Sequence, residues 1–163
     1  MKVASTIRIL ALVALTGFAS AQTTADPFTG TWTLNVEKSR SPATSQVLTI
    51  IVSGDNETYQ SVLELPDGRR QVTHYTAPYD GNEHPSKTVV ISADGARSER
   101  EDTVILVRLD RHTRERHWQQ NGRTVRILRR KVSQDERTLT SIAIDVDPQG
   151  KQHDAGTMVF DRT

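Results

Sequence analysis

The sequence predicts an all-β protein, an up-and-down antiparallel β-barrel of about ten strands. Three observations predict it. Turn signals recur at short, regular spacing: Gly54-Asp55-Asn56, Pro66-Asp67-Gly68, Asp80-Gly81-Asn82, Asp94-Gly95, Asn121-Gly122 and Asp147-Pro148-Gln149-Gly150. Between them lie short runs rich in Val, Ile, Thr and Leu, and no window after the first twenty-odd residues sustains a helical period. Some runs, such as Val104-Ile105-Leu106-Val107 and Leu48-Thr49-Ile50-Ile51-Val52, are apolar on both faces. One of those faces must line an interior. An open meander of ten strands would leave two unpaired edges, and closing the first strand onto the last removes both. A sandwich of two packed sheets would give much of the same pattern.

In chain order, residues 1–21 read as a cleaved signal peptide. Lys2 and Arg8 supply positive charge, Ile9 to Phe18 form an apolar run, and Ala19-Ser20-Ala21 gives the small-x-small cleavage pattern. A run of about ten residues is half the ~20 needed to span a bilayer. The expectation is a secreted or periplasmic mature chain of residues 22–163, forming a single barrel domain. That length supports one core, and with no cysteine it has neither disulfides nor thiolate chemistry. Strands are expected at 29–36, 46–53, 57–65, 69–77, 87–92, 103–109, 113–120, 123–132, 137–146 and 152–162. Asn and Gly reach positive φ cheaply, so Asn121-Gly122 specifies a tight hairpin. The segment 37–45 contains Ser39-Arg40-Ser41-Pro42 and reads as a loop. The charged cluster Glu99-Arg100-Glu101-Asp102, after Asp94-Gly95, reads as a solvated hairpin or loop.

The segment Phe28-Thr29-Gly30-Thr31-Trp32-Thr33-Leu34, followed by Glu37-Lys38-Ser39, resembles the opening strand of the calycins, the lipocalins and fatty-acid-binding proteins. The ending Met158-Val159-Phe160-Asp161-Arg162 resembles their closing strand. With Tyr75-Thr76-Ala77-Pro78-Tyr79-Asp80-Gly81 between them, the chain is similar to small exported bacterial proteins of lipocalin-like type. The resemblance implies a barrel whose closed end is plugged by Trp32, beside Gly30, with Arg162 packed across the indole. It implies binding of a small, largely apolar or amphipathic molecule, with no cofactor and no catalysis. Two departures stand out. Where fatty-acid-binding proteins hold the ligand carboxylate with an Arg-x-Tyr pair on the last strand, this chain has Met158 and Phe160. The segment 37–45 is also too short for the two-helix lid of that family.

Other chemistry is sparsely signalled. His74, His84, His112, His117 and His153 show no metal-binding spacing. No nucleophile elbow, phosphate loop or acid/base carboxylate couple is present. Asn56-Glu57-Thr58 has the form of a glycosylation sequon. An enzyme using His74 or Tyr75, or a haem-binding barrel, stays open as an alternative.

Charge is unevenly placed. Residues 108–131 hold nine basic residues against Asp110 and Glu115, a net +7, while the rest of the mature chain is −8. One reading is an interaction module docking this basic face on an anionic partner, a membrane surface included. Nucleic acid is disfavoured, because only Trp118 interleaves with the basic residues. The other reading turns some of them inward. If Val125 and Ile127 face the interior, so does Arg129, leaving Arg126 and Arg130 in solvent. Trp118 would bring Arg116 with it. The expected ligand-binding residues are thus Met158, Phe160, Trp118, Arg116 and Arg129, and a buried Arg demands an anionic ligand head or an internal Glu. Oligomeric state carries no signal in the sequence. For the signal segment, mass spectrometry of exported protein should find an N-terminus at Gln22; Met1 on the mature protein would contradict cleavage.

Overall fold

The computed structural model describes residues 25–163, so the signal segment lies outside the described residues. Alternating branched and polar residues, punctuated by turns, give ten strands. They are β1 (Gly30–Leu34), β2 (Ser45–Ser53), β3 (Asn56–Glu64), β4 (Arg70–Pro78), β5 (His84–Ile91), β6 (Arg97–Arg108), β7 (Thr113–Gln120), β8 (Arg123–Val132), β9 (Thr138–Val146) and β10 (Gln152–Arg162). Each pairs antiparallel with its neighbours in sequence, and β1 closes onto β10. The protein is therefore an all-β, up-and-down barrel with no open edge, and not a sandwich. Asn121 and Gly122 take φ values of 51° and 69°, as a two-residue hairpin requires.

The main difference from expectation is β6, which begins at Arg97 instead of near residue 103. The charged run 99–102 is strand because β5 pairs with all of it, from Val89↔Glu99 to Ser86↔Asp102. Lys87 reaches Glu99 across the pair at 2.7 Å. Opposite charges on neighbouring strands favour pairing as apolar contacts do, so a charged run need not be loop.

A meander puts alternate turns at opposite ends. The chain start, the C-terminus and the turns after β2, β4, β6 and β8 share one end. The β1–β2 loop and the turns after β3, β5, β7 and β9 share the other. The first end is packed solid. Phe28, Trp32, Leu48, Ile50, Leu106, Val132, Leu139 and Phe160 are all buried there. Trp32 donates its indole N–H to the Phe28 carbonyl at 3.0 Å. It is paired in register with Arg162, whose guanidinium carbon sits 4.1 Å from the indole centroid. Arg162 also donates to the carbonyls of Thr29 at 2.7 Å and Pro27 at 2.6 Å. These bonds tie the last strand to the segment that leads into the first.

Gly30 makes this approach possible. Its φ is 149°, and a Cβ on it would lie 2.7 Å from Arg162 Nη1. Any side chain there both strains the backbone and pushes the guanidinium off the indole. Trp32→Ala should destabilise by roughly 3–5 kcal/mol, the usual range for a buried aromatic truncated to Ala. Arg162→Ala should cost less, and the double variant should fall short of the sum, because both changes dismantle one contact. Strictly additive denaturation midpoints would show that the two side chains do not support each other.

Candidate functional site

Alternation along β3, β4, β7 and β8 aims an unusual set of polar side chains into the barrel. Glu57, Tyr59 and Ser61 share the inner face of β3, and Tyr75 lies opposite Tyr59 in register. Arg114 and Arg116 point inward from β7, and Arg130 points inward from β8 opposite Arg114. Glu57 is fully buried. One carboxylate oxygen accepts from the Tyr75 hydroxyl at 2.6 Å and from Arg130 Nη2 at 2.8 Å. The other accepts from the Tyr79 hydroxyl and lies 3.8 Å from Arg114 Nη1. Arg114 donates to Tyr79 Oη at 2.7 Å and to the carboxylate of Asp26. The Phe28 ring lies beneath it, 4.2 Å from the guanidinium carbon.

This cluster forms a polar layer above the apolar base, and its titration follows from its contacts. Burial pushes the Glu57 carboxyl up, but the charge of Arg130 and the hydrogen bonds from Tyr75, Tyr79 and Arg130 outweigh it, so the pKa is lowered. Burial and the neighbouring Glu57 charge push both tyrosine hydroxyls above their ordinary value. Glu57 is thus held ionised and the tyrosines protonated.

Above this layer lies a cavity of about 290 Å³. Leu63, Val104, Trp118, Leu128 and Met158 supply its apolar wall, and Tyr59 its floor. Tyr59 and Tyr75 stack at 4.9 Å. The Arg116 guanidinium carbon sits 4.9 Å from the Tyr59 centroid and 5.7 Å from that of Tyr75. Its Nε and Nη1 are buried without a hydrogen-bond partner. Arg114 and Arg130 also leave guanidinium nitrogens unpartnered, but each has a carboxylate beside it. Among the arginines that line the cavity or lie beneath it, Arg116 alone has no carboxylate partner among the described residues. Towards the open end the cavity is bordered by Arg100 paired with Asp102 at 2.5 Å and by Arg126 paired with Asp145 at 2.6 Å.

The residues singled out from the sequence divide three ways. Met158, Trp118 and Arg116 line the cavity. Phe160 does not; it is packed in the base beside Leu34, its register partner. Arg129 points outward, its side chain 49% exposed and bonded to Glu115 at 2.7 Å. The expectation for β8 was inverted because it took the branched pair Val125 and Ile127 for the inner face. The inner face is Arg126, Leu128, Arg130 and Val132, since Glu57 makes an interior arginine tolerable. Ile127 is buried on the outer face between His117 and Ile144. A strand slipped by one residue exchanges its faces.

The basic stretch 108–131 accordingly does not form one surface. Arg114, Arg116 and Arg130 are inside and Arg126 borders the cavity, while Arg108, Arg111, Arg123, Arg129 and Lys131 are exposed. Glu57 and Tyr59 escaped notice as site residues, though the signal was available. Arg114, Arg116 and Trp118 share a face, so an inward Trp118 places Arg114 inside and calls for a carboxylate. His74 is exposed and the Tyr75 hydroxyl is held by Glu57. No histidine is among the residues lining the cavity, and no group of three or more potential metal ligands occurs among the described residues.

No protein-family model matches the chain, and none of the curated proteins matches it. Among solved structures it is similar to a Schistosoma mansoni fatty acid binding protein in complex with arachidonic acid, at 14% identity and a TM-score of 0.51, over 84% of this chain and 96% of that one. The likeness establishes the fold: a calycin-type barrel.

Glu57 should anchor stability. Glu57→Gln leaves Arg130 buried without its counter-charge, a change that typically costs about 3–5 kcal/mol. Because the folded pKa of Glu57 is lowered, its contribution is present above the unfolded value near 4.5 and is lost as pH falls through the folded value. Urea denaturation at pH 7 and pH 3 should therefore show the gap between wild type and Glu57→Gln narrowing in acid. A pH-independent gap would mean the carboxylate charge is not what holds the cluster.

Proposed function

We propose that the protein is a binding protein for a small, largely apolar, singly anionic amphiphile, that it acts after export, and that it performs no chemistry on its ligand. The observation that carries this reading is Arg116. A cation placed against apolar surface without a counter-charge is costly, and a bound acid group supplies what the chain does not. The apolar wall of Leu63, Val104, Trp118, Leu128 and Met158 suits a hydrocarbon or flat ring system. Arg130 and Arg114 are answered by Glu57 and Asp26, so one positive charge remains for the ligand. The fatty acid bound by the Schistosoma mansoni protein is an amphiphile of this class.

Export rests on the charged, apolar and small-residue pattern of residues 1–21. The absence of catalysis is favoured by the cluster's geometry: its two tyrosines are committed to Glu57, outside the cavity lining. A basic docking face loses its main support, because four of the nine basic residues of 108–131 turn inward or border the cavity.

The test compares decanoate with methyl decanoate by calorimetry. Arg116→Ala should weaken decanoate about tenfold or more, the worth of a charge-assisted hydrogen bond, and leave the ester unchanged. Equal losses for both would show that Arg116 shapes the cavity without binding the acid group.

A further inference from the structure

A closed barrel must admit its ligand somewhere, and the two sides of the open end differ in what blocks them. On one side residues 40–43 cross the opening as a strap of backbone. Arg40 donates its N–H to the Thr157 carbonyl at 2.7 Å, and Thr44 donates to the Glu64 carbonyl at 3.0 Å. The strap is seated so closely that a Cβ on Gly156 would lie 2.5 Å from the Arg40 carbonyl oxygen. Opening this side means breaking backbone hydrogen bonds at both ends of the strap.

The other side is blocked by side chains alone. Arg100 reaches from β6 to the neighbouring β7 and lays its guanidinium 4.4 Å from the Trp118 centroid. A single hydrogen-bonded carboxylate, Asp102, holds it, and its side chain stays 43% exposed. Asp102 itself is only 7% exposed, so the anchor is fixed and the arginine is the part free to turn. Arg126 stands beside it, in register with Trp118, on Asp145 and 41% exposed. The outer part of the Arg100 guanidinium is solvent-screened, which weakens its contact with the indole, and a half-exposed side chain changes rotamer within nanoseconds.

We propose that Arg100 is a latch: anchored by Asp102, it covers the Trp118 face and sets the rate at which ligand enters the cavity. Trp118 is the largest apolar surface on that side, and a ligand tail takes it by displacing the guanidinium. The latch rests on the amphiphile reading for its ligand but not for its closed state.

The experiment uses mature protein carrying Arg100→Ala or Asp102→Asn, with 11-(dansylamino)undecanoate as probe in stopped-flow fluorescence. Both variants should raise the association rate about fivefold and leave dissociation little changed, so that Kd falls by a similar factor, as the loss of a competitor for the indole does. Acrylamide should quench Trp118 more strongly in both variants without probe; Trp32, fully buried, stays silent. Rates and quenching unchanged in both variants would overturn the latch. A wild type that ignores the probe would sink the amphiphile reading instead, and quenching would still decide whether Arg100 covers the indole.

Discussion

The buried Glu57 carboxylate is the constraint on which the interior depends. It makes it possible for β7 and β8 to turn arginines into the barrel. Without a negative charge at that depth, Arg130 would carry an uncompensated cost that no packing could offset. With it, two arginines, two tyrosines and the carboxylate form a hydrogen-bonded layer that divides the barrel in two. Below the layer, Trp32, Phe28 and Phe160 pack a solid base with Arg162 across it. Above it, a cavity remains that the chain does not fill. Arg116 belongs to the same face as Arg114 but stands above the layer, one residue pair too far from Glu57 to share its charge. The polar layer therefore both floors the cavity and leaves a lone cation standing in it.

The fold was legible because its signals are local. Turn residues with positive φ, runs of alternating or branched residues and the Gly30-x-Trp32 opening each specify a short piece of backbone, and consecutive hairpins leave little choice of topology. The charged start of β6 was not legible as strand, because its pairing with β5 is supported by a diagonal ion pair from Lys87 to Glu99 that local pattern does not reveal. Legibility of the site was partial for a related reason. Arg116, Trp118 and Met158 could be placed by period-two alternation from an indole. Arg129 and Phe160 could not. β8 has branched residues on one face and an arginine-rich face opposite, and ordinary hydrophobicity chooses the wrong one. Only knowledge that Glu57 is inside reverses the choice, and Glu57 is 73 positions from Arg130.

The calycin likeness is one of backbone more than of site. The connection after β1 in this chain is a strap of a few residues hydrogen-bonded to β10, with no helix among the described residues. On the last strand Met158 faces the cavity and Phe160 the base, and neither can hold an acid, while Arg162 is committed to Trp32 and to the carbonyls of Thr29 and Pro27. The inward cations stand on β7 and β8, above the base formed by Trp32 and Arg162.

Closure of the barrel has a kinetic consequence. Nine of the ten seams join strands that are neighbours in sequence, so each can form as a local hairpin at small entropic cost. The tenth joins β1 to β10, and the bond from Arg162 to Thr29 spans 133 positions. β1 is also the shortest strand, with five residues. The meander can therefore assemble progressively, while the final seam must wait until nearly the whole chain is in place. The same seam has only three register pairs, so the buried contact of Trp32 with Arg162 is what keeps it from parting into a sheet with two edges ready to pair with another chain.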